Sequence, residues 1–264
     1  MNVACIYREC QFSPNMVDKD RAILDAVVSE LTGMGHHLCD DVSDADAVFS
    51  MSRSAESLSV LTELEGRGIK VVNSAHAVSN CSRCMFTQMF IDHSVPMPES
   101  RVINARTMAH DLRYPLWVKR GEGCAQLADD VVMVRNEDEL NRAVETMRSR
   151  GYESVVLAEH AVGDLVKFYG VRGTGFFRWY YASEGHSKFG LERENGKERG
   201  YGFSVTEMQR ICEHAADVLS LDVYGGDCVV DAGGKIKIID FNDWPSFSQF
   251  RDEAARAIAL LVRE

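Results

Sequence analysis

Residues 225–241, near the C-terminus, form two apolar runs on either side of the turn Ala232-Gly233-Gly234. A glycine-rich turn between two apolar runs predicts an antiparallel β-hairpin. Alternate residues of a strand point to the same face, so Asp240 and Asn242 share a face and strand pairing brings Asp227 opposite them. Two carboxylates and an amide oxygen are suitable ligands for Mg²⁺. The alternative is that Asp227 caps a turn and Asp240 pairs with a lysine.

The first third of the chain alternates apolar runs with amphipathic segments. Strands are predicted over residues 3–7, 47–51 and 70–73, and helices over residues 18–37 and 56–68. Strand–helix alternation with short connections is typical of a small parallel α/β unit. The first strand is not followed by a G-x-G-x-x-G order, which argues against a dinucleotide-binding fingerprint at that position.

The rest of the chain is predicted to contain hairpins. A helix over residues 81–94 precedes Pro96 and Pro98, which favour an extended linker. Beyond this linker, two strands and a helix are predicted within residues 114–151, a strand over 154–160, a hairpin over 164–183, and helices over 204–221 and 248–262. Residues 184–203 lack an apolar period and predict a mobile loop. Trp244 and Phe247 are expected to pack against the last helix.

Composition excludes several classes of protein. The net charge of −11 argues against nucleic-acid partners, since binders of nucleic acid are more often basic. No apolar run is long enough to span a bilayer, and the N-terminal residues do not resemble a signal peptide. We therefore expect a cytoplasmic protein whose partners are small molecules. The pair Cys81 and Cys84 is half of a zinc site at most, and reduced structural thiols are the favoured interpretation.

Two other segments place charges in apolar surroundings. Lys119 follows Trp117-Val118, and a lysine is costly to bury without an anion. Farther along, the strand at residues 154–160 runs into Glu159, and Asp164 and Lys167 follow after a short turn. Taken alone, each of these charges is explained better by an edge-strand lysine or a surface salt bridge than by a ligand site.

Taken together, the order of these segments resembles the ATP-grasp superfamily over about residues 70–250. The segments that carry the resemblance are PLWVKRGEG, VVLAEHAVGDLVKFYGV and YGGDCVVDAGGKIKIIDFNDWPSF. The last segment is the most specific, because its GGD…IDFN..PS is similar to the metal motif GxD…(E/D)xNxxP of that superfamily. Within the superfamily the chain resembles RimK-like carboxylate–amine ligases.

This resemblance implies the fold class, which combines α/β and α+β parts. A small parallel α/β domain over residues 1–95 would precede an ATP-grasp fold of two α+β lobes. The first lobe would comprise residues 96–163, and the second lobe, residues 164–264, would carry the metal site. ATP would lie between the two lobes, together with one or two Mg²⁺ ions.

The resemblance also implies roles for single residues. Lys119 would hold the α- and β-phosphates, Glu159 and His160 would lie at the adenine, and Asp164 would accept the ribose hydroxyls. Arg83 stands where relatives often carry a nucleotide-binding lysine. The implied metal ligands are Asp227, Asp240 and Asn242, and the implied catalytic residues beside the transferred phosphate are Lys167 and Arg178. In residues 184–203, the expected lid, the candidates for substrate contact are His186, Lys188, Arg193, Lys197 and Arg199.

Three functions remain open from the sequence. The leading hypothesis is a ligase that joins a carboxylate to an amine through an acyl-phosphate. The runner-up is a small-molecule kinase, since Asp240 stands where such ligases usually have glutamate and ATP-grasp inositol-phosphate kinases carry a similar motif. The third is a nucleotide-binding regulator without turnover, against which the complete set of metal ligands argues. The oligomeric state is not predicted.

Overall fold

A parallel four-stranded sheet forms the N-terminal part of the chain. The computed structural model describes residues 1–106, 110–122, 126–184 and 194–262. The sheet has the order β2-β1-β3-β4 and consists of β1 (Asn2–Ile6), β2 (His37–Leu38), β3 (Ala47–Ser50) and β4 (Lys70–Val72). Helices α1 (Val17–Gly33) and α2 (Ala55–Gly66) connect its strands. The predicted parallel α/β unit is confirmed. Helix α1 is shorter than predicted, because it ends at Gly33 and His37, the last residue of the predicted helix, lies in β2.

Two short helices follow this sheet. The second lies within residues 81–94, where a helix was expected, and the first was not predicted. They are α3 (Ala75–Asn80) and α4 (Arg83–Asp92). Phe86 and Phe90 of α4 belong to the same buried cluster as Phe168 and Phe241 of the C-terminal sheet. Helix α4 therefore packs against strands from the C-terminal part of the chain. Its first residue, Arg83, is only 6% exposed to solvent.

An antiparallel sheet forms the middle of the chain. Its order is β5-β8-β6-β7, and its strands are β5 (Ser100–Asn104), β6 (Leu116–Arg120), β7 (Val131–Val134) and β8 (Ser154–Glu159). Helix α5 (Glu137–Ser149) covers one face, where Leu116 and Val118 of β6 are buried in the cluster that includes Leu140 and Val144 of the helix. Trp117 and Lys119, which alternate with these two residues along β6, point to the other face of the sheet.

A second antiparallel sheet contains both predicted hairpins. Its order is β10-β9-β11-β12, and its strands are β9 (Asp164–Val171), β10 (Phe176–Tyr181), β11 (Val223–Val230) and β12 (Ile236–Asp243). Helix α6 (Val205–Leu219) is capped at its N-terminus by Ser204, whose hydroxyl accepts the backbone N–H of Glu207. Together the three sheets and their helices confirm the predicted combination of α/β and α+β parts. Among the described residues, no helix combines the length and apolar character needed to cross a membrane.

The register of the C-terminal sheet aligns three charged residues. Asp227 of β11 is opposite Lys167 on β9 and opposite Asp240 on β12. Residues that face each other across antiparallel strands point to the same side, so all three side chains share one face. The other face is apolar, and Phe168, Tyr224 and Phe241 pack there with buried residues of α6.

Trp244 and Phe247 follow β12 and are both fully buried. They lie in the cluster that includes residues of α1 and of the last helix, α7 (Arg251–Ala259), so they pack the helix as expected. Their φ angles are 40° and 48°, in the left-handed region that bulky residues rarely adopt. Such a conformation persists only where the surrounding packing requires it.

An ion cluster joins the N-terminal sheet to the C-terminal sheet. Arg8, after β1, and Arg53, after β3, both contact the carboxylate of Asp243 at the end of β12, and Arg8 does so at 3.2 Å. Arg8 also lies 3.3 Å from Asp20 of α1. The Asp243 side chain is fully buried. Burial raises the pKa of Asp243, but the charges of Arg53 and Arg8 outweigh this effect and hold the pKa below its usual range.

We predict that Asp243→Asn destabilises the protein by about 3 kcal/mol, because it leaves two largely buried guanidinium groups without their shared counter-charge. Urea denaturation followed by circular dichroism measures the change in the free energy of unfolding. Because the pKa of Asp243 is lowered in the folded state, its contribution is present at neutral pH and is lost as the pH falls below about 4. The difference between variant and wild type should therefore narrow in acid.

The matched control is Asp217→Asn. Asp217 lies 3.4 Å from Arg172 on the surface, and Arg172 keeps Asp222 as a second partner. We expect a much smaller change for this variant. Equal effects of the two substitutions would contradict a structural role of the Asp243 cluster.

Candidate functional site

A cleft lies between the two antiparallel sheets and encloses a cavity of about 310 Å³. Both sheets and α4 contribute to its lining. Apolar side chains form most of its walls, including Met97, Val156, Ala158, Leu165, Val229 and Ile239. The charged residues that line it are Arg83, Lys119, Glu159, Lys167, Asp227 and Asp240, and several uncharged polar side chains line it as well. Apolar walls with polar groups that converge on one cavity are typical of a small-molecule site.

One end of the cleft is charged and is formed by the aligned residues of the C-terminal sheet. Lys167 Nζ lies 2.9 Å from Asp227 Oδ1. On the neighbouring strand, Asn242 Nδ2 donates to Asp240 Oδ2 over 3.3 Å. The structure therefore brings together Lys167, Asp227, Asp240 and Asn242, as the hairpin and its spacing predict.

Close approach of the two strands at this point depends on Gly226. A Cβ atom at this position would lie 2.2 Å from the backbone oxygen of Asp240. Any other residue would push β12 away from β11 and separate Asp240 from Asp227. The two glycines that precede Asp227 in the sequence are thus part of the geometry of the site, since a Cβ at Gly225 would likewise lie 2.7 Å from Pro245.

Two cations from outside the C-terminal sheet reach the same end. Lys119 Nζ donates to the backbone oxygen of Ile239 over 2.6 Å. Arg83 Nη2 lies 3.6 Å from Asp240 Oδ1, and Arg83 Nη1 donates to the backbone oxygen of Arg120. Within the described part of the chain, Arg83 Nε is buried and has no hydrogen-bond partner.

The pKa values follow from this arrangement. Burial lowers the pKa of Lys119 to about 8, a shift that the negative charge of Asp240 opposes and the positive charge of Arg83 adds to. Burial raises the pKa of Asp240, but the charges of Arg83 and Lys119 outweigh it and bring the pKa below its usual range. The charged end is therefore coupled across the two sheets, because the ionisation of Lys119 depends on Asp240.

The opposite end of the cleft is formed by the connection between the sheets. Trp117 precedes Lys119 by two positions on β6, a separation of about 7 Å along a strand, and His160 follows the end of β8. Trp117 Nε1 donates to His160 Nδ1 over 3.1 Å. Glu159 also lines the cleft, and its Oε1 accepts the backbone N–H of Arg113. Asn195 Nδ2 donates to the backbone oxygen of Ala161.

Asp164 and Arg178 are placed differently from what the sequence suggested. The carboxylate of Asp164 is 2% exposed, and its two oxygens accept the backbone N–H groups of Arg199 and Tyr201 over 2.7 and 2.8 Å. Arg178 is paired with Glu253 of α7. Neither residue is among those that line the cleft. Asp164 instead anchors residues 199–201 to the start of β9.

Residues 184–203 are described only in part. His186, Lys188 and Arg193 lie outside the described residues. Arg199 donates through its side chain to the Tyr201 hydroxyl, and Lys197 is exposed. Of this segment, Asn195 lines the cleft, and it was not among the expected contact residues. Its polar side chain gave no signal in the sequence, because its partner is 34 residues away.

The oxygen ligands at the charged end fit a hard divalent cation. Asp227 and Asp240 offer carboxylates and Asn242 an amide oxygen, which is the donor chemistry of Mg²⁺. Within the described ranges, no group of three or more His, Cys, Asp or Glu residues is arranged to hold a metal. A cation at this point would therefore need further oxygen ligands, from bound substrate or water.

Comparison with known proteins gives matches by structure only. No protein-family model matches the sequence, and no curated protein is similar enough to match it. A RimK-domain ATP-grasp protein from Sphaerobacter thermophilus superposes with a TM-score of 0.71 at 17% identity, covering 99% of both chains. D-alanine–D-alanine ligase from Bacillus anthracis, solved with ATP, gives 0.70 at 14% identity, covering 99% of this chain and 96% of its own. The VanG D-Ala:D-Ser ligase from Enterococcus faecalis gives 0.68 at 13% identity, covering 99% of both.

We predict that Lys119 titrates near pH 8 in the ligand-free protein and that Asp240→Asn lowers this pKa further, because the substitution removes the negative charge that raises it. The titration can be followed by NMR after ¹³C reductive methylation of lysines, with Lys119→Met to assign the resonance. Asp92→Asn, an exposed substitution on α4, is the control and should leave the resonance unchanged. No movement of the Lys119 resonance between pH 7 and pH 9 would show that the lysine is not buried beside Asp240.

Proposed function

The chain has the ATP-grasp fold, and from this premise we propose that it is an ATP- and Mg²⁺-dependent ligase that joins a carboxylate to an amine through an acyl-phosphate. The observation that carries the proposal is the charged end of the cleft. There, two cations, Arg83 and Lys119, and the metal-type oxygens of Asp227, Asp240 and Asn242 come together from both sheets. This is the combination that a nucleoside triphosphate and its metal ion require.

We assign the phosphates to the charged end. Lys119 and Arg83 approach from the side of the middle sheet, and Arg83 takes the place of the lysine that the sequence lacks there. Arg83 Nη2, which lies 3.6 Å from Asp240 Oδ1 at this end, offers a donor to a phosphate oxygen. Asp227, Asp240 and Asn242 would hold Mg²⁺, which supplies charge neutralisation to the phosphates when bound.

We assign the nucleobase to the opposite end, beside Glu159, His160 and Ala161. The apolar walls between the two ends suit a purine ring, and the connection between the sheets offers backbone groups to its edge. Asp164 is not available to the ribose, because both of its oxygens already accept backbone N–H groups. We assign no catalytic role to Arg178, because it is paired with Glu253 and does not line the cleft.

The reaction would proceed in two displacements. An oxygen of the acceptor carboxylate attacks the γ-phosphorus and ADP leaves. The amine then attacks the acyl carbon and inorganic phosphate leaves, so that an amide is formed. Lys167 lies on the same face as Asp227, two positions from Leu165 at the cleft wall, where its ammonium can stabilise the transferred phosphoryl group. Exclusion of water between the two sheets would protect the acyl-phosphate from hydrolysis.

A kinase acting on a hydroxyl is the alternative, and one observation weighs against a polyphosphate acceptor. The described charged residues that line the cleft are three cations, Arg83, Lys119 and Lys167, and three anions, Glu159, Asp227 and Asp240. Without an excess of positive charge, the cleft favours an uncharged or weakly charged acceptor over a highly anionic one. We also propose small-molecule substrates, in line with the acidic composition, and a cytoplasmic location, in line with the free cysteines of the described residues.

The test is product analysis of Mg-ATP turnover with pooled metabolites. We predict ADP and a new amide, with formation of a hydroxamate when hydroxylamine is added to trap the acyl-phosphate. Asp240→Asn should lower turnover about a hundredfold or more, because a metal ligand is lost at the transferred phosphate. Asp92→Asn is again the control and should turn over like the wild type.

Each other outcome identifies a different function. A phosphorylated product that is stable to hydroxylamine would establish the kinase. ATP binding without turnover above that of Asp240→Asn would support the non-catalytic regulator. Absence of ATP binding would contradict the proposal as a whole.

A further inference from the structure

The hydrogen bond between Trp117 and His160 fixes the protonation state of the histidine. The indole Nε1 is a donor only, so His160 Nδ1, which lies 3.1 Å away, has to be the acceptor. In a neutral imidazole, when one nitrogen accepts, the other carries the hydrogen. His160 is therefore a neutral imidazole with its hydrogen on Nε2. In agreement, burial lowers the pKa of His160.

One further contact and the register of the sheet hold the histidine in place. Its backbone N–H donates to the backbone oxygen of Pro115, which ties it to the start of β6. Trp117 lies on β6 opposite Ala158, two residues before His160, so both partners stand on adjacent strands of the middle sheet. The imidazole therefore has a defined position on the wall of the cleft, and its orientation is set by the indole.

The Nε2 hydrogen remains available to a ligand. Both His160 and Trp117 line the cavity. Among the described residues, none accepts a hydrogen bond from His160 Nε2, although the ring is partly buried. A donor that is fixed in one tautomer, next to apolar walls and without a protein acceptor, is suited to recognise an acceptor atom of a bound molecule.

We propose that His160 is a nucleobase-positioning residue, which donates its Nε2 hydrogen to a ring nitrogen of the purine. This inference rests on the proposed ATP site. It adds that recognition of the base depends on the side chain of His160, whose tautomer is set by Trp117, as well as on the backbone between β8 and β9. Adenine offers three ring nitrogens as acceptors, N1, N3 and N7, and one of them would face His160.

Binding of ATP analogues tests this directly. Calorimetry would compare ATP with 1-deaza-, 3-deaza- and 7-deaza-ATP, each of which lacks one ring acceptor. We expect the wild type to bind one of the three about three- to tenfold more weakly than ATP, as the loss of one hydrogen bond predicts. In His160→Phe, which has no donor, the difference between ATP and that same analogue should fall below about twofold.

His160→Gln is the matched variant, since its amide can both accept from Trp117 and donate to the base. It should keep the discrimination against the same analogue. The proposal is overturned if the wild type binds all three analogues as tightly as ATP, or if His160→Phe discriminates as the wild type does. If the wild type does not bind ATP at all, it is the proposed function that fails, which distinguishes the two cases.

A second measurement uses the wild-type protein and does not depend on folding of the histidine variants. In ¹⁵N-histidine NMR, His160 should show an unprotonated Nδ1 and a protonated Nε2 without averaging between the two tautomers, and its Nε2 resonance should shift when ATP is added. Trp117→Phe assigns this histidine, since it removes the indole donor. A protonated Nδ1 at His160, or an Nε2 resonance unaffected by ATP, would overturn the proposal.

Discussion

The pairing of β11 with both β9 and β12 is the constraint on which the site depends. Its register places Lys167, Asp227 and Asp240 in one row across three strands. A shift by one residue would turn these charges into the apolar core and bring Phe168 and Phe241 into the cleft. The buried aromatic face of the sheet secures the register. Gly226 contributes as well, because a side chain at this position would prevent the close approach of β11 and β12.

The C-terminal sheet was predictable because its signals are local. The turn glycines fix the hairpin, and the alternation of apolar and polar residues assigns Asp227, Asp240 and Asn242 to one face. The parallel α/β unit follows from periodicity in the same way. Helix α3 was not predicted, because its six residues, Ala75–Asn80, form fewer than two turns and are too few to show an apolar period.

What the sequence could not supply are contacts between distant segments. Asp164 was expected at a ribose because it follows an apolar strand, yet its partners are backbone groups 35 and 37 residues farther along the chain. The pair Trp117 and His160 depends on the sheet order β8-β6, and no local pattern encodes it. Arg83, expected only as a replacement for a missing lysine, lies 3.6 Å from Asp240. This position follows from the packing of α4, which contacts β5 and β8 of the middle sheet and, through Phe90, Phe241 of the C-terminal sheet.

The anchoring of residues 195–201 has a consequence for how this chain can vary. Asn195 donates to the backbone oxygen of Ala161, and the backbone N–H groups of Arg199 and Tyr201 donate to Asp164, so residues 161–164 hold both ends of this stretch. The connection is itself confined by Gly163, where a Cβ would lie 2.2 Å from the backbone oxygen of Val230. Residues 161–164 and residues 195–201 are thus linked by hydrogen bonds into one structural unit. In homologous chains, a substitution of the residue equivalent to Asp164 should therefore be accompanied by substitutions in the stretch equivalent to residues 195–201.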